Sequence, residues 1–135
     1  MTHLQRIEIG DLLLIAEFHT GIAANELARM DRVLQLGEAA LAAPFAGFGE
    51  FEAHPTLEDK AAVYLSRVAT YHPFPDGNKR TAYDVMREFV DRNGREFSHE
   101  HDDVMKTAEI IEQIAAGTMD EAALKKWMKD RLLGS

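Results

Sequence analysis

The sequence has no cysteine in 135 residues, so neither a disulfide framework nor a thiolate metal centre is available to it. It has no apolar run approaching the roughly 18 residues that a helix needs to cross a bilayer. Its first residues lack the apolar stretch and small-residue cleavage site of a secretory signal. These absences predict a cytoplasmic chain with no membrane partner. Cations are scarce: 15 Lys and Arg stand against 23 Asp and Glu, a formal net charge of −8. That sign argues against a nucleic-acid backbone as the main partner, while leaving room for a local basic pocket. Repeats, low-complexity tracts and linkers are also missing. What remains, 46% apolar and 28% charged residues, is the composition of a folded globular chain, and the length suits one domain over residues 1–135.

Proline is used only four times, and two of the four stand together at residues 73 and 75. They mark the most informative stretch, residues 71–94, YHPFPDGNKRTAYDVMREFVDRNG. His72-Pro73-Phe74-Pro75 cannot continue a helix, because proline lacks the N–H and restricts the residue before it. Asp76-Gly77-Asn78 is turn chemistry. Apolar residues then recur at Ala82, Val85, Met86, Phe89 and Val90, one face of a helix that Asn93-Gly94 stops. A glycine turn thus delivers Asn78, Lys79 and Arg80 to the first turn of a helix. The free N–H groups of that turn, the positive end of the dipole and two cationic side chains all favour an anion, and phosphate above all. Lys and Arg at a helix start oppose the dipole, so stability alone does not account for them. His72 stands just upstream as a candidate base, since an imidazole suits proton transfer near neutral pH. Asp76 is a candidate metal ligand.

The string HPFPDGNKR, residues 72–80, resembles the signature of the Fic/Doc family, written HxFx(D/E)GN(G/K)R. Lys79 and the continuation TAYDVMREFVDRNG resemble the Doc branch. The resemblance is strongest from about Leu57 onward and loose before Arg32. It implies transfer of a phosphoryl or nucleotidyl group from ATP to a protein hydroxyl. His72 would be the base and Asp76 would hold Mg2+. Gly77 would let the backbone approach a phosphate, Asn78, Lys79 and Arg80 would bind phosphate oxygens, and Phe74 would turn inward to anchor the loop. Family members that transfer AMP carry glycine at the position of Lys79 and a second arginine at the position of Tyr83. The resemblance therefore implies a Doc-type protein kinase that moves the γ-phosphate to a Ser or Thr of a translation factor, elongation factor Tu. It also implies a separate antitoxin whose disordered tail folds onto the toxin, since the inhibitory (S/T)xxxE(G/N) motif of many relatives is absent. AMP transfer and a catalytically inactive helical adaptor are the competing readings, and the intact His72 and Asp76 count against the adaptor.

Around this stretch the periodicity predicts an all-α bundle of about six helices. A first helix opens at Ile9-Gly10-Asp11 with Asp11 as N-cap and stops at Thr20-Gly21. His19 reads as a hydrogen-bonded core or edge histidine rather than a ligand. Residues 22–31 are ambiguous, and a second helix runs from Val33 to Pro44. Phe45, Gly47, Gly49 and Phe51 share one parity, which suggests a short hairpin near residues 45–53 or, equally, a packed irregular loop. By resemblance this segment, with Phe45, Gly47, Phe48, Gly49 and Phe51, is a flap that holds a target peptide by strand addition. Thr56 and Asp59 form a capping box for the helix that leads into the signature. Arg95-Glu96-Phe97 reads as a short link. His99-Glu100-His101-Asp102-Asp103 is dense in metal-ligand types. Two histidines two residues apart share a face only on a strand, however, and Ser98, Asp102 and Asp103 read better as caps for a helix from Val104. A last helix carries Leu124, Trp127 and Met128, with Trp127 as core anchor.

Overall fold

The computed structural model describes residues 3–98 and 104–133. Among these residues the chain forms seven α-helices and two small antiparallel hairpin-like pairs. The helices are α1 (Ile9–Thr20), α2 (Ala24–Leu27), α3 (Asp31–Ala42), α4 (Leu57–Tyr71), α5 (Asn78–Arg92), α6 (Val104–Ala115) and α7 (Glu121–Arg131). The ambiguous stretch 22–31 supplies the single turn of α2. The strands are β1 (Gly47–Phe48), β2 (Phe51–Glu52), β3 (Glu96–Phe97) and β4 (Leu132–Leu133). None of the helices is long and apolar enough to cross a membrane.

The hub is α4, which packs against α3, α5, α6 and α7. Its run Ala61-Ala62-Val63-Tyr64-Leu65 is buried on every side, which is why it shows no polar face. Tyr64 packs its ring 4.8 Å from that of Phe89 on α5, and its hydroxyl accepts the Ile7 N–H at 3.1 Å. Burial pushes the Tyr64 phenol up to about 12. The capping box expected at Thr56 is present, with Thr56 Oγ1 accepting the Asp59 N–H at 3.0 Å.

Three local expectations are corrected. Asp11 is not the N-cap of α1; Glu8 is, and Asp11 sits at the third helical position, where it accepts the Glu8 N–H at 2.8 Å. A long-range partner helps to hold it there, since Arg92 Nη1 donates to Asp11 Oδ2 at 3.0 Å. That guanidinium holds the Asp11 carboxyl below its usual range, against the opposing effect of burial. Arg95-Glu96-Phe97 is more than a link: β3 pairs with β4 in the register Glu96 to Leu133 and Phe97 to Leu132, fastening the end of α7 beside the end of α5. Trp127 is only half-buried, with the Arg131 guanidinium 4.1 Å over its ring, and the core anchors of α7 are Leu124 and Met128. The His99–Asp103 cluster lies outside the described residues.

Between α3 and α4, a hairpin is what forms. Phe48 pairs with Phe51 across the two-residue turn Gly49-Glu50, so these two phenylalanines share a face although their parity differs. Gly47 has φ +153°, and a Cβ there would lie 2.1 Å from the Phe51 carbonyl. Phe45 does not belong to this hairpin. It ends a 3-10 turn (Ala43–Phe45) and packs into the core, 6.2 Å from Tyr64 and 6.3 Å from Phe89. The hairpin's base is fastened by Lys60, a buried ammonium that donates to Glu52 Oε1 at 2.9 Å and to the His54 carbonyl.

Candidate functional site

The site begins where α4 stops. His72 takes the left-handed conformation, φ 54° and ψ 56°, the only non-glycine residue with positive φ among those described. A left-handed residue at the end of a helix breaks the ladder and turns the chain. Arg32 Nη2 donates to the His72 carbonyl at 3.1 Å, while the imidazole is exposed and makes no hydrogen bond within the described residues. Phe74 turns inward and is buried.

Asn78 closes the loop. Its Oδ1 accepts the Phe74 N–H at 2.9 Å and its Nδ2 donates to the Phe74 carbonyl at 2.8 Å. The Asn78 carboxamide is therefore committed to the loop, and what Asn78 has left to offer an anion is its backbone N–H. Gly77, the N-cap of α5, has φ +71°, and a Cβ there would lie 2.9 Å from the His19 carbonyl. Glycine is required at that position twice over, for its conformation and for the close approach of α1. The helical ladder begins with the Thr81 N–H on the Gly77 carbonyl. The N–H groups of Asn78, Lys79 and Arg80 are left without a hydrogen-bond partner among the described residues.

These groups face a cavity of about 580 Å³. His72, Asp76 and the first turn of α5 form one wall. His19 from the last turn of α1, with Tyr83 and Asp84, forms the second. The third is α6, whose Val104, Ala108 and Ile111 line the cavity as an apolar strip. Lys79 Nζ donates to Glu112 Oε1 at 2.8 Å, joining the first wall to the third, and within the second wall His19 Nε2 lies 2.5 Å from Asp84 Oδ2. Arg80 and Asp76 are exposed into the cavity with no partner among the described residues. The hydroxyl of Tyr83 accepts from Arg87 Nη1 at 2.8 Å.

The structure thus brings His72, Asp76, Gly77, Asn78, Lys79 and Arg80 to one cavity. It does not bring the hairpin there: Gly47, Phe48, Gly49 and Phe51 are not among the lining residues, and Phe48 and Phe51 stand 82% and 62% exposed, their rings 5.9 Å apart. Sequence reasoning missed Glu112, the α6 wall and the partner of His19. The histidine was visible as an anomaly on an apolar helix, but Asp84 is 65 residues away, beyond any local pattern. Among the described residues no cluster of three or more metal-binding side chains exists. A divalent ion here would depend on the single free carboxylate of Asp76, completed by phosphate oxygens and water, a donor set that suits Mg2+.

A family model described as Fic/DOC family matches residues 7–90, a span that contains both the first helix and the whole signature. The chain is 35% identical over 83 residues to the Toxin Doc of Mycolicibacterium smegmatis (strain ATCC 700084 / mc(2)155). That match spans 62% of this chain and 63% of its relative. With its signature loop, the unpaired N–H groups at the start of α5 and its match over more than half its length, the chain belongs to the Fic/DOC family.

Proposed function

We propose that this chain is a toxin-type protein kinase that transfers the γ-phosphate of ATP to a Ser or Thr hydroxyl of a protein substrate. The observation that carries the reading is the start of α5. There the unpaired N–H groups of Asn78, Lys79 and Arg80, the dipole and the Arg80 guanidinium face the same cavity as His72 and Asp76. Phosphoryl transfer asks little covalent chemistry of a protein; it asks for positioning and for charge stabilisation on the phosphate oxygens. His72, unencumbered at the mouth, takes the proton of the acceptor hydroxyl. The acceptor oxygen bonds to the γ-phosphorus as the bond to the β-bridging oxygen breaks, and its electron pair leaves with ADP. Arg80 and the free N–H groups hold phosphate oxygens, and Lys79 joins them by exchanging Glu112 for phosphate. Asp76 would hold Mg2+, which when bound neutralises charge on the phosphates.

The γ-phosphate is preferred over AMP because of two side chains. Lys79 occupies space that AMP-transferring relatives leave to glycine. Tyr83 stands where they have a second cation, and its hydroxyl is tied to Arg87. The substrate that the resemblance implies is elongation factor Tu, and the partner it implies is an antitoxin with a disordered tail. The exposed hairpin of β1 and β2 offers main-chain edge groups for strand addition by the acceptor segment. The test uses ATP labelled separately at the α and γ phosphates, with purified protein and host extract. Protein labelled from γ alone, and lost in His72→Ala, supports the kinase. Protein labelled from α, with pyrophosphate released, supports AMP transfer instead. No transfer of either label supports an inactive adaptor.

A further inference from the structure

Arg80 and Asp84 stand one turn apart on α5, the spacing at which an arginine and an aspartate pair on a helix surface. They are not paired. Asp84 Oδ2 is held by His19 Nε2 at 2.5 Å, and Arg80 has no partner among the described residues. We infer that His19 is a positioning residue that keeps Arg80 available to an anion by occupying the one carboxylate on α5 a turn beyond it. The inference rests on the phosphate reading of the cavity.

Three observations support the direction of this effect. The histidine is the fixed member of the pair, its side chain 12% exposed against 46% for Asp84. Its ring stands perpendicular to that of Phe18, the centroids 5.1 Å apart, and its carbonyl abuts Gly77. The carboxylate is the more exposed member, able to turn either toward His19 or back toward Arg80. Second, His19, Arg80 and Asp84 line the same cavity. Third, the other cation of that wall, Lys79, is already held by Glu112, so an incoming phosphate first meets Arg80. A carboxylate turned onto Arg80 would neutralise it and place negative charge where phosphate must sit. Nε2 of His19 donates to the carboxylate whether the ring is neutral or protonated, so the restraint does not depend on the charge of the imidazole.

The experiment is pyrophosphate binding by isothermal titration calorimetry to the full chain and its variants. His19→Ala is expected to weaken binding by roughly threefold or more, since a freed carboxylate competes for the guanidinium. His19→Gln, whose amide still donates, should retain most of the affinity. The deciding variant is His19→Ala combined with Asp84→Asn, which removes the competing charge and is expected to recover binding. Unaltered binding in His19→Ala, or a loss that Asp84→Asn does not recover, overturns the proposal in favour of simple support of Gly77. Binding that is absent in the wild type overturns the phosphate reading itself. In that case the pairing is read from the Arg80 Nε–H resonance. A shift in His19→Ala that Asp84→Asn reverses upholds the restraint, and no shift overturns it.

Discussion

Asn78 grips Phe74 at both ends of one residue's backbone, taking its N–H at 2.9 Å and its carbonyl at 2.8 Å. Both groups are buried, and Asn78→Ala leaves both unsatisfied. At about 1–3 kcal/mol for each of the two orphaned buried groups, the variant is expected to lose about 2–6 kcal/mol. The urea midpoint should fall with the m-value unchanged. Asn78→Asp keeps an acceptor for the Phe74 N–H but turns an oxygen on the Phe74 carbonyl, and should also be destabilised. A midpoint equal to that of the wild type in both variants would remove the loop clasp.

His72 is the residue at which stability and activity are expected to part. An L-residue in the left-handed region is strained by about 1–2 kcal/mol, a strain that glycine does not carry. His72→Gly should therefore raise the unfolding free energy by about 1 kcal/mol, after the entropy of a glycine in the unfolded chain is allowed for. Loss of the base should lower transfer by about 10²–10⁴. Thermal melts and γ-phosphate transfer on the same preparation read both. A variant less stable than wild type, or one that still turns over, contradicts the assignment.

The Lys79–Glu112 pair is half exposed, 47% and 66% for the two side chains. Screening at that exposure holds such a pair to about 1 kcal/mol or less. Glu112→Gln should accordingly release Lys79 and tighten pyrophosphate binding by up to about fivefold at low salt. The gain should shrink as ionic strength rises. Looser binding in Glu112→Gln would mean that the glutamate orients the lysine and does not compete with phosphate.

His54 makes stability depend on pH near the base of the hairpin. Burial first, then the Lys125 ammonium whose Nζ donates to His54 Nδ1 at 2.8 Å and the charge of Arg67, hold the imidazole below its ordinary 6.5, while Glu121 and Asp59 oppose them. The folded chain takes up this proton at lower pH than the unfolded chain does. The contribution of His54 is thus complete above about 6.5 and is lost as pH falls toward the folded value. Urea unfolding between pH 7.5 and 5 should show stability falling with acid. The fall should be smaller in His54→Gln, whose amide oxygen accepts from Lys125 without titrating. Equal slopes in the two proteins would exclude the residue.

The parts of this molecule that were legible from the sequence are those decided within a few residues. Thr56 and Asp59 announce their capping box, and the Asp76-Gly77 turn announces the start of α5, because each pattern is complete in a short segment. Phe74 was legible as an anchor only through the resemblance. What failed was decided at long range. Asp11 looked like an N-cap until Arg92, which meets it across the fold, helped fix it at the third position of α1. Phe45 looked like part of the flap because parity cannot tell a strand from a turn that tucks a ring against Tyr64 and Phe89. On α6, Val104, Ala108 and Ile111 fall on one helical face, and all three line the cavity. Periodicity reports which residues share a face and not whether that face meets protein or a void.

That third wall also sets an order in time. A chain emerging N-terminus first acquires His72, Asp76 and the start of α5 before Glu112 and the apolar strip of α6 exist. At about 5–20 residues per second, Glu112 follows Lys79 by roughly two to seven seconds. Over that interval Lys79 has no Glu112 to pair with, and the third wall of the cavity is not yet synthesised. The pocket is a property of the finished fold, because α4, which leads into it, packs against α6 and α7 as well as α5.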